Sequence, residues 1–178
     1  MIPLRANKIN FENQSMKRSF TFIAITLLLI LQSCTKDDLN GFKGNYTFKN
    51  GGYVTLEPMM TQGAPLTLAL QPESGQMDIL ENGGDGQVLV TMNILNGSAV
   101  VIEGTVSGET LTLTPHTRIV MLMQSKEETF GAQVTISGTA KKIDRSLIFD
   151  IKYEGASVIG GMPYKISSSD IDQIAKEN

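Results

Sequence analysis

From Gly41 to Tyr153 apolar side chains recur at every second position, with polar ones between them. A period of two places alternate residues on opposite faces of an extended strand, which is a different pattern from the stripe of an amphipathic helix. Tyr46 and Phe48 alternate with Asn45, Thr47 and Lys49, and Leu66, Leu68 and Leu70 with Thr67, Ala69 and Gln71. Val88, Val90, Met92 and Ile94 form one face of a longer run; Val100, Ile102 and Val106 begin the next, followed by Leu111 and Leu113, then Val134 and Ile136. The cleanest set is Leu147, Phe149, Ile151 and Tyr153, interleaved with Ile148, Asp150, Lys152 and Glu154.

Residues that tolerate positive φ separate the runs: Asn50-Gly51-Gly52, Asn82-Gly83-Gly84-Asp85-Gly86, Asn96-Gly97, Ser107-Gly108 and Ile143-Asp144-Arg145. These are hairpin signals, and Asn96-Gly97 is the strongest of them. Short connections make neighbours in sequence neighbours in space. The expected fold is therefore an all-β, antiparallel up-and-down β-barrel of about 8–10 strands, because closure removes both exposed edges. A two-sheet β-sandwich is the alternative. In the tail, Ser167-Ser168-Ser169-Asp170 supplies cap residues, and Ile171, Ile174 and Ala175 share one helical face, so a short C-terminal helix is expected. Two hairpins carry a Gly-Thr step in their first strand, Gly104-Thr105 and Gly138-Thr139, where glycine permits a bulge or sharp bend.

The N-terminal part has a different character. Lys17 and Arg18 precede the apolar run Phe20 to Leu31, whose helix would span roughly 18 Å against the roughly 30 Å needed to cross a bilayer. That combination reads as a secretory signal. The stretch 1–15 lies upstream of a complete signal and lacks any periodic pattern, so Met16 is expected to be the true start. Residues 16–33 are then the signal peptide, 34–40 a tether and 41–178 the barrel domain. Residues 1–33 hold Arg5, Lys8, Lys17 and Arg18 against Glu12, so their removal takes the net charge from −3 to −6. An acidic domain of this kind has no general electrostatic attraction to nucleic acid or to anionic lipid.

Leu31-Gln32-Ser33-Cys34 resembles a lipobox, the site at which bacterial lipoproteins receive a diacylglyceryl group on the cysteine. Lys36-Asp37-Asp38 resembles the lipoprotein export signal of Bacteroidota, which directs cargo to the cell surface. With the early strand Phe42-Lys43-Gly44-Asn45-Tyr46-Thr47-Phe48 and the Gly-Thr hairpins, the chain resembles the calycin-like or lipocalin-like surface lipoproteins of that group, a family of unknown function. The resemblance implies lipidation at Cys34, anchoring in the outer membrane through that lipid, and exposure at the cell surface.

The residues usually required for catalysis are scarce. One Cys excludes an internal disulfide framework, and one His excludes a multi-histidine metal site. His116 follows Pro115 between two strand-like segments and reads as an exposed turn residue. Asp78, Glu103 and Asp150 occupy the polar phase of their strands, so an outer, solvated face is expected for each. Asn82–Gly86 lacks the acid spacing of a calcium loop and reads as a turn. No catalytic residue, cofactor or metal is assigned. For binding, Met92, Met121 and Met123 are read as inward and could line an apolar pocket. Met59 and Met60, in the proline-flanked loop Glu57 to Pro65, are read as a partner contact on the barrel rim. No Trp is present, so a glycan would have to use an exposed tyrosine, Tyr53 or Tyr164. The expected function is a non-enzymatic surface lipoprotein that binds a small apolar molecule or glycan. Its alternative is a structural or protein-interaction lipoprotein with a solid barrel, accessory to a surface uptake complex.

Overall fold

A computed structural model describes residues 35–60 and 63–178. Cys34, the signal segment and the stretch upstream of it lie outside the described residues. One short helix, α1 (Thr35–Phe42), is followed by nine strands: β1 (Gly44–Pro58), β2 (Leu66–Leu70), β3 (Glu73–Glu81), β4 (Gln87–Ile94), β5 (Ala99–Ser107), β6 (Thr110–Met123), β7 (Thr129–Ile143), β8 (Ser146–Ile159) and β9 (Met162–Glu177). All pair antiparallel, and β9 pairs back onto β1 along nearly its whole length, closing the sheet into a barrel.

The ring has two tiers. β1 is a single long strand whose first half, Gly44–Asn50, pairs with β3 and whose second half, Tyr53–Leu56, pairs with β2. β2 and β3 thus run as one strand broken at Gln71-Pro72. The β2 half pairs onward with the end of β6. The β3 half pairs instead with the β4–β5 hairpin, which is wedged between β3 and β6. One end of the barrel is therefore eight strands around and the other six. Interior side chains can fill a barrel of eight strands or fewer.

The wall changes phase at the step between tiers. On β6, Leu111 and Leu113 point inward and so do Val120 and Leu122, an odd set followed by an even one. The switch is a bulge between Leu113 and His116, which adds one residue opposite β7. On β9 the inward set changes from Tyr164 and Ile166 to Gln173 and Ala175, across a second irregularity opposite Tyr53/Val54. β6 and β9 sit three strands apart in either direction around the narrow ring, so the two bulges face each other across it.

Most turns agree with the sequence. Asn96 and Asp144 adopt positive φ, 61° and 54°, as does Gly108 at 57°. Four expectations are corrected. Asn50-Gly51-Gly52 is not a hairpin: it lies inside β1, where Gly52 (φ +118°) meets the bulge, with Asp170 O 2.1 Å from where a Cβ would stand. The segments on either side of Pro115 are one strand, β6, and His116 is half-buried within it. The C-terminal helix is absent, and Ser167–Ala175 belongs to β9. The stretch expected as a tether is helical from Thr35, and Leu39 and Phe42 are buried in the core.

The two Gly-Thr steps do flank a bend. Gly104 on β5 and Gly138 on β7 both stand opposite Leu113, one on each side of β6, immediately before its bulge. A Cβ on Gly138 would lie 2.2 Å from Asp150 O, so the close approach of β7 and β8 requires glycine there.

Candidate functional site

The interior is full. Tyr46, Phe48, Met77, Ile79 and Leu147 are completely buried in the wide tier, and Val54, Leu56, Leu122 and Ile166 in the narrow one. At the step, Phe48, Val90, Ile102, Ile136 and Phe149 leave a free space of only about 10 Å³. That is room for one water molecule at most.

Beside this space lies a polar cluster in a core that is otherwise apolar but for Gln173. Glu73 heads β3, in phase with inward Met77 and Ile79, and forms an ion pair with Arg118 of β6. Asn50 Nδ2 donates to Glu73 Oε2 (3.3 Å) and contacts the Tyr153 hydroxyl (3.1 Å). The Tyr153 backbone N–H donates to Ser168 Oγ (2.5 Å), bridging the irregular stretch between β8 and β9. Burial raises the Tyr153 phenol above its ordinary pKa, opposed by the Asn50 hydrogen bond and the Arg118 charge. The cluster stands where the β2–β6 ladder ends and the chain passes into β3, which does not pair with β6. Side chains there supply the cross-strand links that the backbone does not.

The wide end is closed by α1. This helix enters directly before β1 and touches β5 on the far side of the mouth. The Tyr46 hydroxyl donates to Phe42 O (2.8 Å), and Lys43 pairs with Glu81 (2.5 Å). Burial likewise raises the Tyr46 phenol, partly offset by Lys142. Lys36, Asp37 and Asp38 fall on this helix.

Of the residues expected to bind, the structure separates the methionines into two groups. Met92 is buried in the core, where Gln173 Nε2 approaches its sulfur at 3.9 Å. Met121 points outward, 37% exposed, and Met123 is half-buried at the strand end. An internal pocket lined by Met92, Met121 and Met123 is therefore ruled out, because the β6 bulge turns Met121 to the opposite face from Met92. Tyr53 is exposed on β1, whereas Tyr164 is buried. Glu103 and Asp150 lie on the outer face and Asp78 is half-buried on it, as their phase requires.

Met59 and Met60 are exposed by 60% and 66% on the rim of the narrow end. Met59 N donates to Pro163 O (2.9 Å), which brings it beside the β8–β9 turn. Exposed Val158 and Met162 belong to that turn, and exposed Leu66 begins β2 on the other side of β1. Five apolar side chains at or just beyond the ends of four adjacent strands thus edge the narrow mouth, and the sequence pointed to two of them. Val158 and Met162 join them through the pairing of β9 with β1, and Leu66 through the pairing of β2 with β1. An apolar cluster of this kind marks contact surfaces more than isolated exposed residues do.

Among the described residues, no group of three or more Cys, His, Asp or Glu could hold a metal, and no helix is long and apolar enough to cross a membrane. Compared with known proteins, the chain matches no family model and no curated relative.

Proposed function

We propose that this chain is a lipid-anchored outer-membrane lipoprotein whose solid, non-enzymatic barrel holds a protein-contact surface away from the bilayer. The packed interior carries this reading: among the described residues, the space at the step between tiers is about 10 Å³, too small for an internal ligand. The address rests on the lipobox-like Leu31-Gln32-Ser33-Cys34 and on Lys36-Asp37-Asp38. Thr35, the first residue of α1, directly follows Cys34, so a lipid on that cysteine joins the barrel at its wide, helix-closed end. The apolar rim is at the other end. Strands of 14–16 residues tilted as in a closed barrel set the two ends roughly 35 Å apart. Met side chains suit a surface that must adapt to a partner.

Two experiments test this. Globomycin-sensitive processing and palmitate labelling in the native host are expected for the wild type and absent from Cys34→Ala; absent wild-type labelling removes the anchored reading. A photo-crosslinking amino acid at Met60 is expected to capture one defined surface protein, while the same probe at Asp150 captures none. Equal capture at both positions, or at neither, overturns the contact role of the rim.

A further inference from the structure

The β4–β5 hairpin is zipped unevenly into the wall. Against β3 it pairs along its whole length, Gly75–Glu81 with Val88–Ile94. Against β6 it pairs only over Gly104–Ser107 with Thr110–Leu113. Beyond Gly104, β5 and β6 part. Among the described residues, Ala99–Glu103 pairs with β4 alone and His116–Val120 with β7 alone. The result is a V-shaped slot whose two rims are open strand edges. Pockets of about 300 Å³ and 390 Å³ lie at its apex and at its mouth. Glu103, Thr114 and Pro115 line the apex. Leu95 and Met121 flank the mouth, and Val101 and Ile119 are exposed along the arms.

We propose that this slot takes an extended segment of a partner polypeptide, which adds a strand to β5. The proposal deepens the protein-contact reading and rests on it. A row of unpaired main-chain donors and acceptors is complemented by another main chain, and flanking apolar side chains supply the alternate-residue contacts of strand addition. β5 is the better rim, because Pro115 removes a donor from β6. The two edges face each other across a slot, so a single strand reaches them where the smooth wall of a second barrel does not. Exposed Glu103 has no ion-pair partner among the described residues, and it selects a segment with a basic residue beside it.

The test is amide hydrogen exchange on the full mature lipoprotein in detergent. The probe is a synthetic heptapeptide of alternating valine and threonine with lysine at both ends. Its twin carries glutamate in place of lysine. The lysine peptide is expected to slow exchange across Ala99–Glu103 about tenfold or more, and Glu103→Lys is expected to transfer the preference to the glutamate peptide. No slowing at millimolar peptide overturns the proposal, as does slowing that ignores Glu103→Lys. Slowing confined to the Met59–Met60 rim also overturns it, while leaving the rim's contact role standing. Crosslinking from Met60 is independent of the slot, so the two readings fail separately.

Discussion

Arg118 on β6 and Glu73 at the head of β3 form an ion pair across the point where those strands part to admit the β4–β5 hairpin. Both side chains are largely withdrawn from solvent, 12% and 21% exposed. Removing one partner leaves the other charge desolvated and alone, which typically costs about 3 kcal/mol. Arg118→Ala or Glu73→Ala is therefore expected to lower the unfolding free energy by about that amount. The paired replacement Arg118→Met with Glu73→Leu is expected to fall within about 1.5 kcal/mol of wild type, because two apolar groups strand no charge. Urea denaturation of the four proteins checks both expectations.

Tyr153 gives the fold an alkaline limit. Burial raises its pKa in the folded state above the unfolded value of about 10. Its contribution is complete below that value and is lost as pH rises through the folded one, because the unfolded chain releases its proton first. Tyr46 acts in the same direction. Tyr153→Phe is expected to cost about 1 kcal/mol at neutral pH through the lost Asn50 hydrogen bond. The variant's stability should also fall less steeply above about pH 10, in unfolding curves measured from about pH 8 upward.

Gly52 holds β1 against the β9 bulge. A methyl group there meets Asp170 O at 2.1 Å, and φ is +118°. Gly52→Ala is expected to destabilise by at least about 2 kcal/mol, from backbone strain and displacement of β9 together. Gly51→Ala, whose Cβ meets nothing within 4 Å, is the control. Thermal unfolding separates the two.

The narrow rim and the core should respond oppositely to truncation. Phe48 is 1% exposed, and Phe48→Ala is expected to cost about 3–5 kcal/mol. Met59→Ser and Met162→Ser are expected to leave stability within about 0.5 kcal/mol while abolishing crosslinking from the probe at position 60. A large loss of stability in the methionine variants would place those side chains in packing instead.

The strand pattern was legible wherever a strand keeps one phase. Leu147, Phe149, Ile151 and Tyr153 are inward on β8 as their alternation requires. It was not legible across the bulges. Met121 reads in phase with Leu111 and Leu113, yet one extra residue near Pro115 turns it outward. The β9 irregularity also explains the missing helix. It sets inward Ser168 and Ile171 three residues apart, a helical spacing, and Ile174 strengthens the impression although it is exposed on the outer face. What decides the matter is long-range: β1 offers an open edge from Tyr46 to Pro58, and the tail covers it as a strand. The Met rim was half-legible for the same reason, since Val158 and Met162 join it through that pairing. The slot between β5 and β6 left no local signal except Pro115.

The seam between β1 and β9 sets the order in which this protein can be finished. Tyr46 pairs with Glu177 and Pro58 with Tyr164, so the first strand must wait for the last. Contacts at such separation form late and slowly. Until residues 162–177 emerge, β1 and β8 each present a bare edge. A chain synthesised N-terminus first thus stays unclosed until its tail is made, and those two edges are the ones open to wrong partners in the meantime.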